Sequence, residues 1–273
     1  MKGSRKKVGA IMAACLMAVN LFAAVDVSAA TGDITSVINN ATAGSTVTLT
    51  GNCTGSPTLK ASNVTVNAKG ATLNKGVFKI TGSGNKINDL KITNAPDYGI
   101  VIDKGSKNTL TKVTVSKANN YGIAHKNGGT GNVFDGCYSE YNFDIKGNGG
   151  NADGFGVKFG AGADTFKGCT AFNNSDDGWD FWNCGSGMNN FTDCIADHNG
   201  YKADGKSFTA EMNGMGFKCG GPAATGSFTF TSCTAKNNRQ RGFKRNHTTG
   251  TITLNGCTST GNLGGADLLG PND

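Results

Sequence analysis

Past residue 25 the sequence has no apolar run long enough to cross a bilayer. That excludes a membrane-spanning helix in the rest of the chain. Few segments carry apolar residues at the 3.6-residue period, so a helical domain is excluded as well. There is no Lys/Arg-rich helix and no zinc-ligand spacing, and nothing else points to nucleic acid. Proline is scarce at 4 residues, while glycine is abundant at 42. The apolar residues that remain alternate in short runs such as "NVTVNA", "KINDLKIT" and "GTITLNG" between tight turns. These runs read as strands, and the chain as all-β.

The first residues stand apart. Lys2, Arg5, Lys6 and Lys7 precede an apolar run from Val8 to Val25, and "VSAA" follows with Val27 and Ala29 in the −3 and −1 places of a cleavage site. This pattern predicts a secretory signal peptide over residues 1–29 and an extracellular, membrane-free mature protein. Residues 30–273 then form one domain, expected to be monomeric. The leader removes four of the 26 basic residues and one of the 19 acidic ones, leaving 22 against 18, a formal +4. Such a balance suits an acidic partner without requiring one.

A repeat organises the rest. "NVFDGCYSEYN", "DTFKGCTAFNN", "NNFTDCIADHN", "GSFTFTSCTAKNN" and "GTITLNGCTSTGN" share one frame, with cysteines at 137, 169, 194, 233 and 257. Leu90 and Val113 hold the same slot earlier, which sets a period of about 23 to 25 residues interrupted by two insertions. Three residues before the slot stand Ile87, Leu110, Phe134, Phe166, Phe191, Phe230 and Leu254. Five residues after it stand Ala95, Ala118, Asn142, Asn174, Asn199, Asn238 and Asn262. This self-similarity predicts a right-handed parallel β-helix whose coils stack at the strand spacing of ~4.8 Å. The Phe and Cys columns become core ladders, and the Asn column a ladder at a turn. Cys53, Cys184 and Cys219 fall outside the column, and their pairing is left open. The stretch from Ala30 to about Ser62 is expected to cap or begin the stack.

Both insertions fall at one corner. The step from the ladder residue to a corner glycine is 4 residues in most coils, but 12 from Asn142 to Gly154 and 17 from Asn199 to Gly216. Long loops on a regular scaffold are commonly functional. These two are expected to wall a cleft whose floor is the "SDDGWD" turn between them. Before the corner glycine the column reads Tyr98, Tyr121, Asp153, Asp177, Met215 and Arg241. Two residues after it the column reads Val101, Ala124, Gly156, Asp180, Lys218 and Lys244.

Asp153, Asp176, Asp177 and Asp180 thus converge within two coils. Crowded hard oxygens suit Ca²⁺, and no His/Cys set competes for a softer metal. Lys218 falls in register beside Asp180, where a nearby cation would lower its pKa and make it a base.

The segments "GNADGFGVKFG" and "NNSDDGWDFW", followed by "GMGFKCGG", resemble the pectate lyases of polysaccharide lyase family nine. The likeness lies in an N-x-D-G-F run, an S-D-D-G-x-D run and a later G-F-K, and it extends over roughly residues 85 to 260. It implies a parallel β-helix, a calcium site on Asp153, Asp176, Asp177 and Asp180, and Lys218 as catalytic base. It further implies an acidic polysaccharide substrate such as polygalacturonate, cleaved by β-elimination at alkaline pH. Arg241, Lys244, Arg245 and Lys158, with His247 beside them, are expected to hold sugar carboxylates. The chain runs only about two coils past Lys218, so a shortened groove is expected. Two rival readings are a β-helix hydrolase and a calcium-stabilised solenoid that binds polysaccharide without cleaving it. The hydrolase reading lacks the histidine of a G-H-G segment, since "DHNG" and "NHTTG" do not supply it.

Overall fold

The computed structural model describes residues 27–264. It is a parallel β-helix, as expected. Each regular coil contributes three short strands, two to an 18-stranded sheet and one to an 8-stranded sheet. All strand pairs are parallel and join equivalent positions of successive coils, such as Leu110 opposite both Ile87 and Phe134. Alternation drives this arrangement. In Thr109–Thr111 and Thr114–Ser116 only the central residue is buried, and it points into the stack.

The interior is a set of ladders. Phe134, Phe166, Phe191 and Phe230 stack with ring centroids 4.7, 4.8 and 4.4 Å apart. A second column from the other sheet comprises Phe155, Trp179, Phe217 and Phe243, at 4.6, 4.6 and 4.9 Å. Offset stacks of this kind contribute about 0.5–1.5 kcal/mol per pair beyond area burial. Cys137, Cys169, Cys194 and Cys233 are buried free thiols in the predicted column, and Cys257 is half-buried at its end. Cys53, Cys184 and Cys219 are also free and buried.

The asparagine ladder is continuous. Nδ2 of Asn142, Asn174, Asn199 and Asn238 donates to Oδ1 of the next member at 2.7, 3.0, 2.9 and 2.9 Å, ending on Asn262. Each Oδ1 also accepts a backbone N–H of the coil before it, as Asn199 does from Asn174 at 3.2 Å. A second ladder runs through Asn85, Asn108, Asn132, Asp164 and Asn189. Its signal was present two residues before the aromatic column. In this ladder Asp164 also bonds the wholly buried His125, at 2.6 Å from Nδ1.

At the N-terminal end, helix Thr35–Asn39 lays Ile38 over the first coil, with Ile34 beside it. This is the expected cap. The leader expected on residues 1–29 lies outside the described residues as far as Asp26. Val27–Asp33 is a strand parallel to Thr46–Thr54, so the position after Ala29 falls within it.

Candidate active site and metal centre

The site forms where a tight corner places carboxylates on neighbouring coils. A Cβ on Gly178 would meet the carbonyl oxygen of Gly216 at 2.5 Å, so only glycine lets the coils close there. Asp177 directly precedes that corner, and its N–H donates to Asp153 Oδ1 at 2.9 Å. Gly156, Asp180, Lys218 and Lys244 are register partners in successive coils, the row expected from sequence.

Three of the four predicted carboxylates come together. One ligand atom each from Asp153, Asp176 and Asp177 lies within 4.8 Å of the other two. Asp180 sits beside them but faces the lysines. Its Oδ2 is 2.6 Å from Lys158 Nζ and 3.3 Å from Lys218 Nζ. Lys218 Nζ also reaches Asp177 Oδ2 at 2.9 Å. Lys158 Nζ lies 3.1 Å from Asp153 Oδ2, out of hydrogen-bonding line, and donates to the Tyr121 hydroxyl at 2.9 Å. Lys158, expected to reach substrate, is thus packed inside the carboxylate cluster.

Burial makes this crowding expensive. Asp153 and Asp177 are fully buried, and Lys218 is only 7% exposed. Burial pushes Asp153 up to about 7, with Asp180 and Asp177 adding to the rise against the pull of Lys158. Burial likewise raises Asp176 and Asp177. For the lysines burial acts the other way but is outweighed. Asp177 and Asp180 hold Lys218 above its ordinary range, and Asp153 and Asp180 do the same for Lys158. The lowered Lys218 expected beside a cation is therefore not the state set by the protein groups alone. The physical reason is two carboxylates within hydrogen-bonding reach.

The inserted loops do more than wall the cleft. Met215 N–H donates to Asp177 Oδ1 at 2.7 Å and Asn213 N–H to Asp176 Oδ1 at 2.6 Å. The loops also meet each other, through Thr209 Oγ1 to Asn148 O at 2.7 Å and Asn148 Nδ2 to Glu211 Oε2 at 3.3 Å. Ser175 Oγ bonds Gly149 O at 2.8 Å beneath them. The expected open floor is therefore roofed on the loop side. The cluster opens instead into a cleft of ≈ 290 Å³ over the eight-stranded sheet, lined by Tyr121, Lys158, Phe159, Asp176, Asp180, Trp182 and Lys218 with loop residues.

Four carboxylates face two ammonium groups here, a formal charge of −2 when all are ionised. Asp180 Oδ1 is buried without a hydrogen-bond partner, and Asp153 Oδ2 has only the misaligned Lys158. An oxygen-rich, partly orphaned set with a residual −2 fits a hard divalent cation.

Arg241, Lys244 and Arg245 do not line this cleft. Lys244 stacks on Lys218 one coil further on. Arg245 Nη1 donates to Thr248 O at 3.2 Å and Gly250 O at 3.0 Å, within its own loop. His247 is exposed in that loop. Sequence reasoning missed Tyr121, Phe159 and Trp182. Tyr121 stood in the corner column, but nothing in the sequence marked its pairing with Lys158.

Comparisons with known proteins agree with this geometry. Residues 21–271 match a family model described as "Pel9A-like, right handed beta helix region". Pectate lyase L of Paenibacillus polymyxa (strain SC2) is 38% identical over 130 residues, 46% of this chain and 28% of that protein. Pectate lyase L of Dickeya chrysanthemi is 35% identical over 146 residues, 49% of this chain and 31% of that protein. The matched stretch thus spans under a third of these relatives' length. The crystal structure of pectate lyase Pel9A superimposes with a TM-score of 0.64 at 27% identity, covering 80% of this chain and 61% of that one. With the family model matched along nearly the whole stack and the same coil architecture in the solved relative, the chain belongs to the Pel9A-like right-handed β-helix family.

Proposed function

We propose that this chain is a secreted, Ca²⁺-dependent pectate lyase that cleaves polygalacturonate by β-elimination, with Lys218 as the base. One observation carries the reading: Lys218 Nζ faces the cleft directly beside a −2 carboxylate cluster with orphaned oxygens. Asp153, Asp176 and Asp177 would hold the ion, with Asp180 completing the set. Bound there, Ca²⁺ supplies positive charge to a sugar carboxylate, which acidifies the hydrogen on the adjacent C5.

The chain's own groups account for the rest. Asp177 and Asp180 orient Lys218 Nζ toward the cleft. Those same carboxylates keep it protonated, and a cation held by them would weaken its hold on the proton. Neutral Lys218 takes the C5 proton, the freed electron pair forms the C4–C5 double bond, and the C4–O bond breaks with its electron pair leaving on the glycosidic oxygen, which takes a proton from water. The product carries an unsaturated uronate end. Because Lys218 must shed a proton, turnover favours alkaline pH. The relatives named pectate lyase support the substrate class, and the leader expected on residues 1–29 supports an extracellular site of action.

The test is the chemistry of the product. Polygalacturonate incubated with Ca²⁺ should gain the ultraviolet absorbance of an unsaturated uronate, and chelation should abolish the gain. New reducing ends without that absorbance would instead mean hydrolysis. No cleavage, with chelation lowering only thermal stability, would leave a binding solenoid.

A further inference from the structure

We infer that the cavity on the N-terminal side of Lys158 is a second sugar site, where Phe159 is the stacking face and Lys126 the carboxylate partner of a neighbouring uronate. This rests on the uronan-cleaving reading above. The cavity measures ≈ 280 Å³ and adjoins the cleft at Lys218, since both are lined by Tyr121, Asn151, Lys158 and Phe159.

Phe159 is out of place for the fold. It closes the strand Phe155–Lys158 at a turn where successive coils adopt left-handed backbone, with Lys104 at φ 65°, Asn127 at 64°, Phe159 at 57° and Asn183 at 54°. The other three are polar, as such a turn prefers, while a bulky aromatic is an outlier there. The residue is also 53% exposed and lines both cavities. Backbone strain and an exposed apolar face gain the stack nothing, and they coincide at a turn that borders the groove. An aromatic face presented this way suits the C–H face of a pyranose ring.

Lys126 supplies the charge. Its Nζ lies 2.9 Å from the Tyr98 hydroxyl and 4.3 Å from that ring's centroid. One coil later, Lys158 stands in the same relation to Tyr121, at 2.9 and 4.3 Å. Lys158 is taken up by Asp153 and Asp180, but Lys126 makes no ion pair among the described residues. Asp103, its register neighbour, is paired with Lys79 at 2.7 Å. Asp144, the only carboxylate among the described residues lining the cavity, is turned into its own loop, accepting from Lys146 N, Gly147 N and Asn151 Nδ2. Asp103 therefore acts on Lys126 only through space, and a uronate one coil away, at the ~4.8 Å strand spacing, meets an ammonium with no direct carboxylate partner among the described residues.

The test measures binding of galacturonate oligomers of defined length, with Ca²⁺ present, to uncleaving Lys218→Ala protein with and without Phe159→Asn or Lys126→Met. Wild-type cleavage is followed in parallel. Phe159→Asn installs the residue type of neighbouring coils, so melting temperature should hold or rise while affinity for long oligomers falls about tenfold. Lys126→Met should weaken the same oligomers about tenfold and flatten the salt dependence, with Lys126→Arg retaining most of the affinity. Neither change should affect oligomers too short to reach the cavity. Unchanged long-oligomer affinity in both variants, with wild-type protein still cleaving, overturns this site and leaves the lyase reading intact. A clear fall in melting temperature for Phe159→Asn would make Phe159 a structural residue. Absence of both oligomer binding and wild-type cleavage removes the lyase reading and this one together.

Discussion

Without metal, this protein should lose stability as pH rises from 4 to 8, opposite to the usual trend for paired carboxylates. Asp153 is one cause. Its carboxyl is held at about 7 in the fold against 3.8 when free. A raised folded value means its contribution is fully present below 3.8 and is lost as pH climbs through about 7. The loss across that interval is on the order of 4 kcal/mol. Asp176 and Asp177 are raised too and steepen the fall. Lys158 and Lys218 are both raised and stay charged throughout, so they add no slope in this window. Calcium should offset part of this fall, since a ligand at a hundred times its Kd returns about 2.7 kcal/mol. The return should be greatest near pH 8 and least near pH 4, where protons compete for the carboxylates. Urea unfolding of chelated and calcium-loaded protein at four or five pH values measures both curves. Asp153→Asn should flatten the metal-free curve. Metal-free stability that climbs steadily from pH 4 to 8, or a calcium increment independent of pH, would show that these carboxylates do not share a buried, unneutralised site.

Other expectations concern the scaffold and the base. Asn199→Ala removes a ladder side chain that donates to Ala171 O and Asn238 Oδ1 and accepts from Asn174, leaving buried groups unpaired. It should cost roughly 3–5 kcal/mol by urea titration, and a loss under 1 kcal/mol would deny the ladder its role. Trp179→Ala opens the ring stack directly behind Asp180 and should cost about 3–5 kcal/mol, with activity falling even in the folded fraction. Because Asp177 and Asp180 hold the Lys218 proton tightly, kcat/KM should climb with pH through the neutral range. A profile that peaks at acid pH would assign the base to a carboxylate.

Much of this architecture was legible because stacked coils turn sequence period into spatial register. The Phe, Cys and Asn columns each aligned by simple counting, and the structure places Phe166 beside Phe191 and Asn174 beside Asn199 as counted. The row from Gly156 through Asp180 and Lys218 to Lys244 was legible for the same reason. What counting could not give is how side chains lean between rows. Lys158 reaches back across Gly156, which has no side chain to obstruct it, and ends among Asp153, Asp180 and Tyr121. The contact between the two insertions was likewise hidden, because irregular loops carry no period. The second polar ladder has the same period, but Asp164 interrupts its run of asparagines and blurs the signal.

The proposed role of Lys218, taking the C5 proton in a calcium-supported elimination, can be read from unsaturated product formed from polygalacturonate at alkaline pH, with wild-type protein and Lys218→Ala side by side at equal calcium. The variant should stay folded and bind polymer while its rate falls by roughly 10²–10⁴. Unsaturated product formed by Lys218→Ala at the wild-type rate would show that another group removes the proton.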